Sequence, residues 1–199
     1  CKHTIENLGL PLFVKPCAMG SSVGIHKVTT KEKLISAIQD ARQYDHTVLI
    51  EAFVPGREIE LAVLENRNSV ENPKVSIPGE IRVFHPDGFY SYSAKYLESE
   101  QTELIVGPAL EGNLQQQLQK AAADIFVRLK CKGMARVDFF LCENKIYFSE
   151  INTLPGFTTI SMYPKLWQAS GITYGELLNE LILLGMEEFA RKKSLKTDY

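Results

Sequence analysis

The sequence has little of what would mark a membrane, secreted or nucleic-acid-binding protein. No apolar run approaches the ~20 residues that a membrane helix needs, and no signal peptide is recognisable at the start. The formal net charge of -2 gives no general attraction to nucleic acid or to membranes. The four cysteines have no metal-ligand spacing, which favours free thiols in a reducing cytoplasm. With 45% apolar residues in a chain of 199, there is enough apolar material for a hydrophobic core.

Strand and helix patterns alternate along the chain without an internal repeat or a low-complexity segment. Strands are predicted at residues 12–15, 23–28, 48–54 and 58–64, with the third of them buried. Residues 66–80 and 85–110 contain Pro and Gly and lack apolar periodicity, so both are predicted to be loops, the second a long functional loop. The chain begins with Cys1 rather than Met and soon enters a strand-like segment, so we expect a fragment.

Capping boxes predict the starts of three helices. The cap and its partner three residues later are Thr29 with Glu32, Asn113 with Gln116, and Thr173 with Glu176. The last helix is expected to end at basic residues, which suit a helix C-terminus, and to bury an apolar stripe. That stripe consists of Leu177, Leu178, Leu181, Ile182 and Phe189.

The most informative segment is a predicted hairpin at residues 133–152, because it carries charged groups that folding does not require. Side chains alternate along a strand, so Arg136 and Asp138 share one face of the first strand, and Glu150 and Asn152 share one face of the second. The length of the turn between the strands decides which of these faces coincide.

Two turns are compatible with this hairpin. A two-residue turn at 143–144 would place Asp138 opposite Ser149, whereas a three-residue turn at 143–145 places Asp138 opposite Glu150. We predict the second register, which also sets Arg136 opposite Asn152.

The predicted register brings two carboxylates directly across a sheet, where they repel each other. A hard divalent cation relieves this repulsion, and carboxylate and amide oxygens in a partly open site suit Mg²⁺ that also carries substrate phosphates. The alternative is a solvated outer sheet face on which Arg136 and Asp138 form a surface ion pair.

A second chemical signal lies in the loop at residues 16–24. Its Gly and Ser residues offer backbone N–H groups and hydroxyls at close approach, as a flap over phosphate requires, although no Walker A pattern is present. An ordinary Gly-Ser turn is the alternative. Lys15 precedes this loop in an apolar strand, where it is either an edge-strand or snorkelling residue or a cation for phosphate oxygens.

Six motifs occur together in order. They are Phe13-Val14-Lys15-Pro16, Gly20-Ser21-Ser22-Val23-Gly24, Glu51-Ala52-Phe53-Val54 with Gly56-Arg57-Glu58, Ala94-Lys95-Tyr96, Arg136-Val137-Asp138 and Glu150-Ile151-Asn152-Thr153-Leu154-Pro155-Gly156. Over nearly the whole chain this set resembles the D-alanine–D-alanine ligases of the ATP-grasp superfamily. The resemblance implies an α/β (α+β) ATP-grasp fold with mostly antiparallel sheet and flanking helices. Residues 1–54 would be the remainder of the central subdomain and 55–199 the C-terminal subdomain, with the family's N-terminal domain missing.

The resemblance also implies an ATP site. Lys15 would contact the α- and β-phosphates, while Ser21 and Ser22 would lie in the flap over the transferred phosphate. Residues 51–54 would read the adenine edge, and Glu58 would hold the ribose hydroxyls. In that segment the residues implied to contact the nucleotide are Glu51, Phe53 and Val54. For Phe53 and Val54, the alternative is burial in the core.

For the reacting centre, the resemblance implies that Asp138, Glu150 and Asn152 bind two Mg²⁺ ions, which Mn²⁺ can replace. Arg136 and the Gly156 N–H would stabilise an oxyanion.

Three further residues are implied to bind or enclose the amino-acid substrate. Lys95 and Ser161 would hold the carboxylate of the second D-alanine, and Tyr96 would order over the site toward Ser21. As an alternative, Tyr96 is an exposed loop aromatic.

The implied activity is ATP-dependent ligation of two D-alanines for peptidoglycan synthesis, by a cytoplasmic homodimer that binds neither nucleic acid nor membrane. A ligase joining D-alanine to D-lactate and a non-catalytic nucleotide-binding module are the alternatives.

Overall fold

The computed structural model describes residues 2–20, 22–69, 71–84, 102–158 and 160–196. The helices are α1 (Lys2–Leu8), α2 (Lys31–Ala41), α3 (Leu114–Arg128), α4 (Met162–Ala169) and α5 (Tyr174–Lys193). The strands are β1 (Leu12–Pro16), β2 (His26–Val28), β3 (Val48–Ala52), β4 (Arg57–Leu64), β5 (Lys74–Val75), β6 (Gly79–Val83), β7 (Thr102–Val106), β8 (Met134–Cys142) and β9 (Lys145–Asn152). They belong to two compact units, Cys1–Pro55 with Val83–Glu103, and Gly56–Arg82 with Leu104–Tyr199.

The first unit contains an antiparallel sheet with the strand order β2-β1-β3. Alternate residues of β1, Leu12 and Val14, are fully buried and pack with Leu34 and Ala41 of α2. The residues between them, Phe13 and Lys15, therefore lie on the opposite face of the sheet.

Two strand predictions in this unit are wrong in extent. The strand predicted at 48–54 ends at Ala52. It was also predicted to be buried, but none of its residues is fully buried, because β3 is the last strand in the described order β2-β1-β3. The strand predicted at 23–28 is limited to His26–Val28, because Val23 and Gly24 belong to a turn.

The second unit contains an antiparallel sheet with the order β7-β6-β4-β8-β9, and β5 also pairs with β4. Helix α3 covers one face of this sheet, and the two surfaces form the larger hydrophobic core. The core residues include Ile59, Leu61, Val63, Val137 and Phe139 of the sheet and Leu118, Ala122 and Phe126 of the helix. Mostly antiparallel sheet with flanking helices is the predicted fold class, which is confirmed.

The two predicted loops contain short strands. Within 66–80 lie β5 and the start of β6, and β7 occupies part of 85–110. These strands are too short to show a period of their own, and they form because neighbouring strands supply their hydrogen bonds. Most of the second predicted loop lies outside the described residues.

The predicted helix starts have different outcomes. The cap of α2 is Thr30 rather than Thr29, and its side chain makes no capping hydrogen bond. Helix α3 begins after Asn113 as predicted, but the Asn113 side chain accepts from the Gln117 side chain instead of capping the backbone.

Helix α5 has the predicted capping box and the predicted basic end. Thr173 Oγ1 accepts from the Glu176 N–H at 3.3 Å, and Glu176 Oε2 accepts from the Thr173 N–H at 2.8 Å. The predicted buried stripe is wrong: Leu177 is buried, but Ile182 and Phe189 are 60% and 68% exposed. The helix packs against α4 and buries Leu177 and Leu184, but most of the predicted stripe remains accessible. Within the described residues, no helix is both long and apolar enough to cross a membrane.

The capping box makes a measurable contribution to stability. Thr173→Ala removes the acceptor for a helix N–H and is expected to lower the free energy of unfolding by about 1 kcal/mol. Urea denaturation of the chain measures this change, with Thr29→Ala as the matched control because Thr29 is exposed and precedes the observed cap. Equal midpoints for the two variants would show that the box contributes nothing.

Candidate functional site

The β8–β9 hairpin closes with a turn different from the predicted one. Cys142 pairs with Lys145, so the connection consists of Glu143 and Asn144 alone. These two residues have φ values of 49° and 62°, the left-handed values that a type I′ turn requires at both central positions. The three-residue turn predicted for this hairpin is therefore wrong.

The register predicted for the charged residues is nevertheless confirmed. Asp138 pairs with Glu150 and Arg136 pairs with Asn152, because a β-bulge shifts the ladder after Asp138. Phe139 still pairs with Phe148, so Ser149 is the extra residue on β9. The bulge, and not the turn, brings the two carboxylates opposite each other.

The four side chains form one hydrogen-bonded cluster on the sheet face opposite the core. Arg136 donates from Nε to Asp138 Oδ1 at 2.8 Å and from Nη2 to Oδ2 at 2.7 Å. The Asn152 amide donates to Asp138 Oδ2 and to Glu150 Oε1, each at 3.3 Å. Asp138 is only 3% exposed, which excludes the alternative of a solvated surface ion pair.

A further carboxylate, which the sequence did not indicate, joins this cluster from β4. Glu60 lies opposite Asp138 in the ladder, and its Oε1 is 3.2 Å from Arg136 Nε. Burial by itself would lower the pKa of Arg136, but Asp138, Glu60 and Glu150 more than compensate, so its pKa is raised and the guanidinium stays charged. The available signal was an acid flanked by the apolar residues Ile59 and Leu61, but the strand that pairs with it was not predictable.

The donor set of the hairpin fits a hard cation held only in part by protein. Asp138 and Glu150 carry carboxylate oxygens, and the Asn152 amide donates to both through its nitrogen, which leaves its oxygen as the atom able to bind a metal ion. Among the described residues, no group of three or more His, Cys, Asp or Glu could hold a metal ion. Two carboxylates and one amide leave coordination positions for water or phosphate oxygens, which is typical of Mg²⁺.

Two of the predicted nucleotide contacts meet in the first unit. Lys15 Nζ forms an ion pair with Glu51 Oε2 at 2.8 Å on the sheet face opposite the core. Since β1 is the central strand of its sheet, Lys15 is not an edge-strand residue.

The two residues that follow β3 are half-buried, so the alternative of core burial for Phe53 and Val54 is not observed. The Phe53 ring lies 5.9 Å from that of Phe13, and Lys27 Nζ lies 4.8 Å from the Phe53 centroid. This apolar surface beside cations suits the face of an adenine ring.

The loop predicted as a phosphate flap is held in a specific backbone conformation. Ser22 and Gly24 have φ values of 59° and 71°. A Cβ at position 24 would lie 2.6 Å from the Tyr44 ring, so only Gly fits there. Ser21, the second flap serine, lies outside the described residues.

The start of this loop is anchored by Asp45. Its carboxylate accepts from the Ala18 N–H at 2.8 Å and from the Thr47 N–H at 2.9 Å. The bond from Thr47, followed by that from Ala18, lowers the pKa of Asp45. The Asp45 carboxylate therefore stays ionised at neutral pH.

The segment after β9 brings Gly156 and Ser161 together. A Cβ at Gly156 would lie 2.9 Å from Ser161 Oγ. Ser161 Oγ accepts from the Thr158 N–H at 3.0 Å and is 2.8 Å from Thr158 Oγ1, which fixes the bend. Position 156 and the Ser161 hydroxyl are therefore close neighbours, and a side chain larger than that of Gly at 156 would press on this hydroxyl.

Of the remaining predicted site residues, Glu58 is among the described residues and two are not. Glu58 is half-buried on β4, on the same face as Glu60 and opposite Phe140. Lys95 and Tyr96 fall outside the described residues.

The antiparallel sheets, the flanking helices and the acidic, arginine-containing sheet face match the ATP-grasp class of ligases, and the similarity to solved ligase structures supports this class. The chain is similar to a D-alanine-D-alanine ligase from Coxiella burnetii, with a TM-score of 0.78 and 36% identity over 96% of this chain and 49% of that one. It is also similar to the VanG D-Ala:D-Ser ligase from Enterococcus faecalis, with a TM-score of 0.78 and 34% identity over 92% of this chain and 52% of that one.

Sequence comparison gives the family. A D-alanine--D-alanine ligase from Legionella pneumophila (strain Corby) is 58% identical, over 100% of this chain and 55% of the relative. The sequence profile described as D-ala D-ala ligase C-terminus matches residues 1–183. The chain therefore belongs to the D-Ala-D-Ala ligase C-terminal family. It spans about half the length of the relatives it matches.

Proposed function

We propose that the intact protein joins two D-alanines to D-alanyl-D-alanine with conversion of ATP to ADP and phosphate, for peptidoglycan precursors in the cytoplasm. The observation that carries this proposal is the buried Arg136–Asp138 pair placed opposite Asn152 and Glu150. Residues 1–54 would be part of the central subdomain and 55–199 the C-terminal subdomain, in a homodimer. Neither nucleic acid nor membrane would take part.

The first unit would bind ATP through the face of its sheet that carries Lys15. The Lys15 ammonium would contact the α- and β-phosphates, and the pair with Glu51 holds it in place until then. Glu51 and the backbone of Val54 would read the adenine edge, with Phe53 packed beside the ring. In the second unit, Glu58 would hold the ribose hydroxyls.

In the first step, the carboxylate of one D-alanine would attack the γ-phosphate in line, with ADP as leaving group, to give D-alanyl phosphate. The flap N–H groups, Ser21 and Ser22 would stabilise charge spread over the transferred phosphoryl oxygens. Asp138, Glu150 and Asn152 would hold two Mg²⁺ or Mn²⁺ ions, which neutralise phosphate charge when bound.

In the second step, the amine of the other D-alanine would attack the acyl carbonyl, and phosphate would leave. The oxyanion that forms would lie between the Arg136 guanidinium and the Gly156 N–H. Ser161 and Lys95 would hold the carboxylate of this D-alanine. Tyr96 would reach toward Ser21 and exclude the water that hydrolyses acyl phosphates.

Two other functions fit the same residues less well. A D-alanine–D-lactate ligase of the resistance type would usually carry histidine at the position of Tyr96. A non-catalytic nucleotide module would be expected to lack part of the metal-binding set, whereas Asp138, Glu150 and Asn152 are all present.

The acceptor decides between the ligase functions. With ATP, Mg²⁺ and equal concentrations of D-alanine, D-lactate and D-serine at pH 7, the intact protein is expected to form mainly D-alanyl-D-alanine. Lys95 would pair with a carboxylate that all three share, and position 96 carries Tyr in place of the histidine that favours the neutral nucleophile. Chromatography of the products measures the preference. A dominant D-alanyl-D-lactate or D-alanyl-D-serine product would overturn the acceptor assignment, and no D-alanine-dependent ADP release would overturn ligase activity itself.

A further inference from the structure

Three acidic residues form a straight row across the central strands of the second unit. Glu60 of β4 pairs with Asp138 of β8, and Asp138 pairs with Glu150 of β9. Among the described residues, no three acids of this kind are placed to hold one metal ion together. The Glu60 carboxylate instead contacts Arg136, so Glu60 lies outside the proposed ligand set.

Glu60 contacts the cluster through Arg136. The Arg136 Nε lies between two carboxylates, 2.8 Å from Asp138 Oδ1 and 3.2 Å from Glu60 Oε1. The Glu60 and Asp138 side chains are only 3% and 5% exposed, so water screens these contacts little. A long, flexible side chain is thus fixed from two neighbouring strands.

The Asp138 and Glu60 carboxylates differ in whether they would also bind a metal ion. Asp138 would share its oxygens between Arg136 and a cation during the proposed reaction, which weakens its hold on the guanidinium. Glu60 holds the same Nε from a strand that supplies no metal ligand. We propose that Glu60 is a positioning residue that keeps the Arg136 guanidinium aligned for the oxyanion while Asp138 is engaged by metal; this inference rests on the proposed function.

The alternative role for Glu60 is to neutralise the charge of a neighbouring arginine without affecting catalysis. The same sheet contains another buried, arginine-paired carboxylate that can be used to test this alternative. Glu80 of β6 is 2% exposed and binds Arg57 and Arg82. It pairs with Ile59, whose side chain enters the core, so Glu80 lies on the sheet face opposite Glu60. Glu80 is therefore the matched control: equally buried and ion-paired, but not in contact with Arg136.

The test is a double-mutant cycle on the intact protein, with kcat for D-alanyl-D-alanine formation and KM for ATP as readouts. Glu60→Gln is expected to lower kcat about tenfold and to change KM for ATP by less than about twofold. In an Arg136→Lys background the same substitution is expected to lower kcat by less than about twofold, because the guanidinium that it aligns is absent. Equal losses in both backgrounds would overturn the inference.

Two further variants separate positioning from stability. Glu80→Gln should lower the melting temperature as Glu60→Gln does, yet leave kcat within about twofold of the unmodified protein. Where Glu60→Gln does not fold, Glu60→Asp, which retracts the carboxylate by one methylene, replaces it in the cycle with an expected loss of about threefold. An unmodified protein without ligase activity overturns the proposed function and this inference with it, whereas an active protein with equal losses overturns the inference alone.

Discussion

Replacement of Glu150 by Gln in the intact protein is expected to lower the rate of D-alanyl-D-alanine formation by about two to three orders of magnitude. Glu150 is exposed and accepts from Asn152 through a single contact, which a Gln oxygen can also accept, so the fold should be preserved. The lost charge is the one that would bind metal. The measurement is kcat as a function of Mg²⁺ concentration, and the dependence is expected to move to higher Mg²⁺.

The control for this variant lies in the same hairpin. Glu143→Gln removes an equal charge at the exposed turn and is expected to leave both kcat and the Mg²⁺ dependence unchanged. Near-normal turnover of Glu150→Gln at limiting Mg²⁺ would show that the metal assignment is wrong.

Arg136→Lys is expected to lower turnover by about 10²- to 10³-fold, the range for loss of an oxyanion-stabilising donor. Lysine keeps the positive charge between Asp138 and Glu60, so neither buried carboxylate is left without a cation nearby. It loses the planar fork that binds a carboxylate through two nitrogens and still presents a donor to a ligand. The readouts are kcat and KM for ATP, of which only kcat should change greatly.

Arg128→Lys, the same substitution on the exposed end of α3, is the matched control and should leave kcat unaltered. If Arg136→Lys retained more than about a third of the turnover of the unmodified protein, Arg136 would not be the oxyanion donor.

Local patterns predicted much of the fold and of the site. The strands of the hairpin and the faces of Arg136 and Glu150 followed from alternation, which depends only on neighbouring residues. The capping box at Thr173 is confirmed as well. It could be predicted because the cap and its partner are only three residues apart.

Features set by distant segments could not be predicted in this way. Glu60 becomes part of the cluster only through the pairing of β4 with β8, which joins segments far apart in sequence. The exposure of Ile182 depends on how little of α5 other elements cover, although its periodicity is that of a buried stripe. The bulge at Ser149 likewise had no local signal, so the correct register was predicted from an incorrect turn.

The bulge also determines which length changes the hairpin can tolerate during evolution. Loss of Ser149 would leave a regular ladder in which Asp138 still faces Glu150, so a shorter hairpin keeps the acidic pair. Loss of one residue elsewhere between Glu150 and the turn, with the bulge retained, would instead move Asn152 out of line with Arg136. Homologous hairpins are therefore expected to vary in length at Ser149 and in sequence at the tip, while the residues from Glu150 to Asn152 stay in phase with β8.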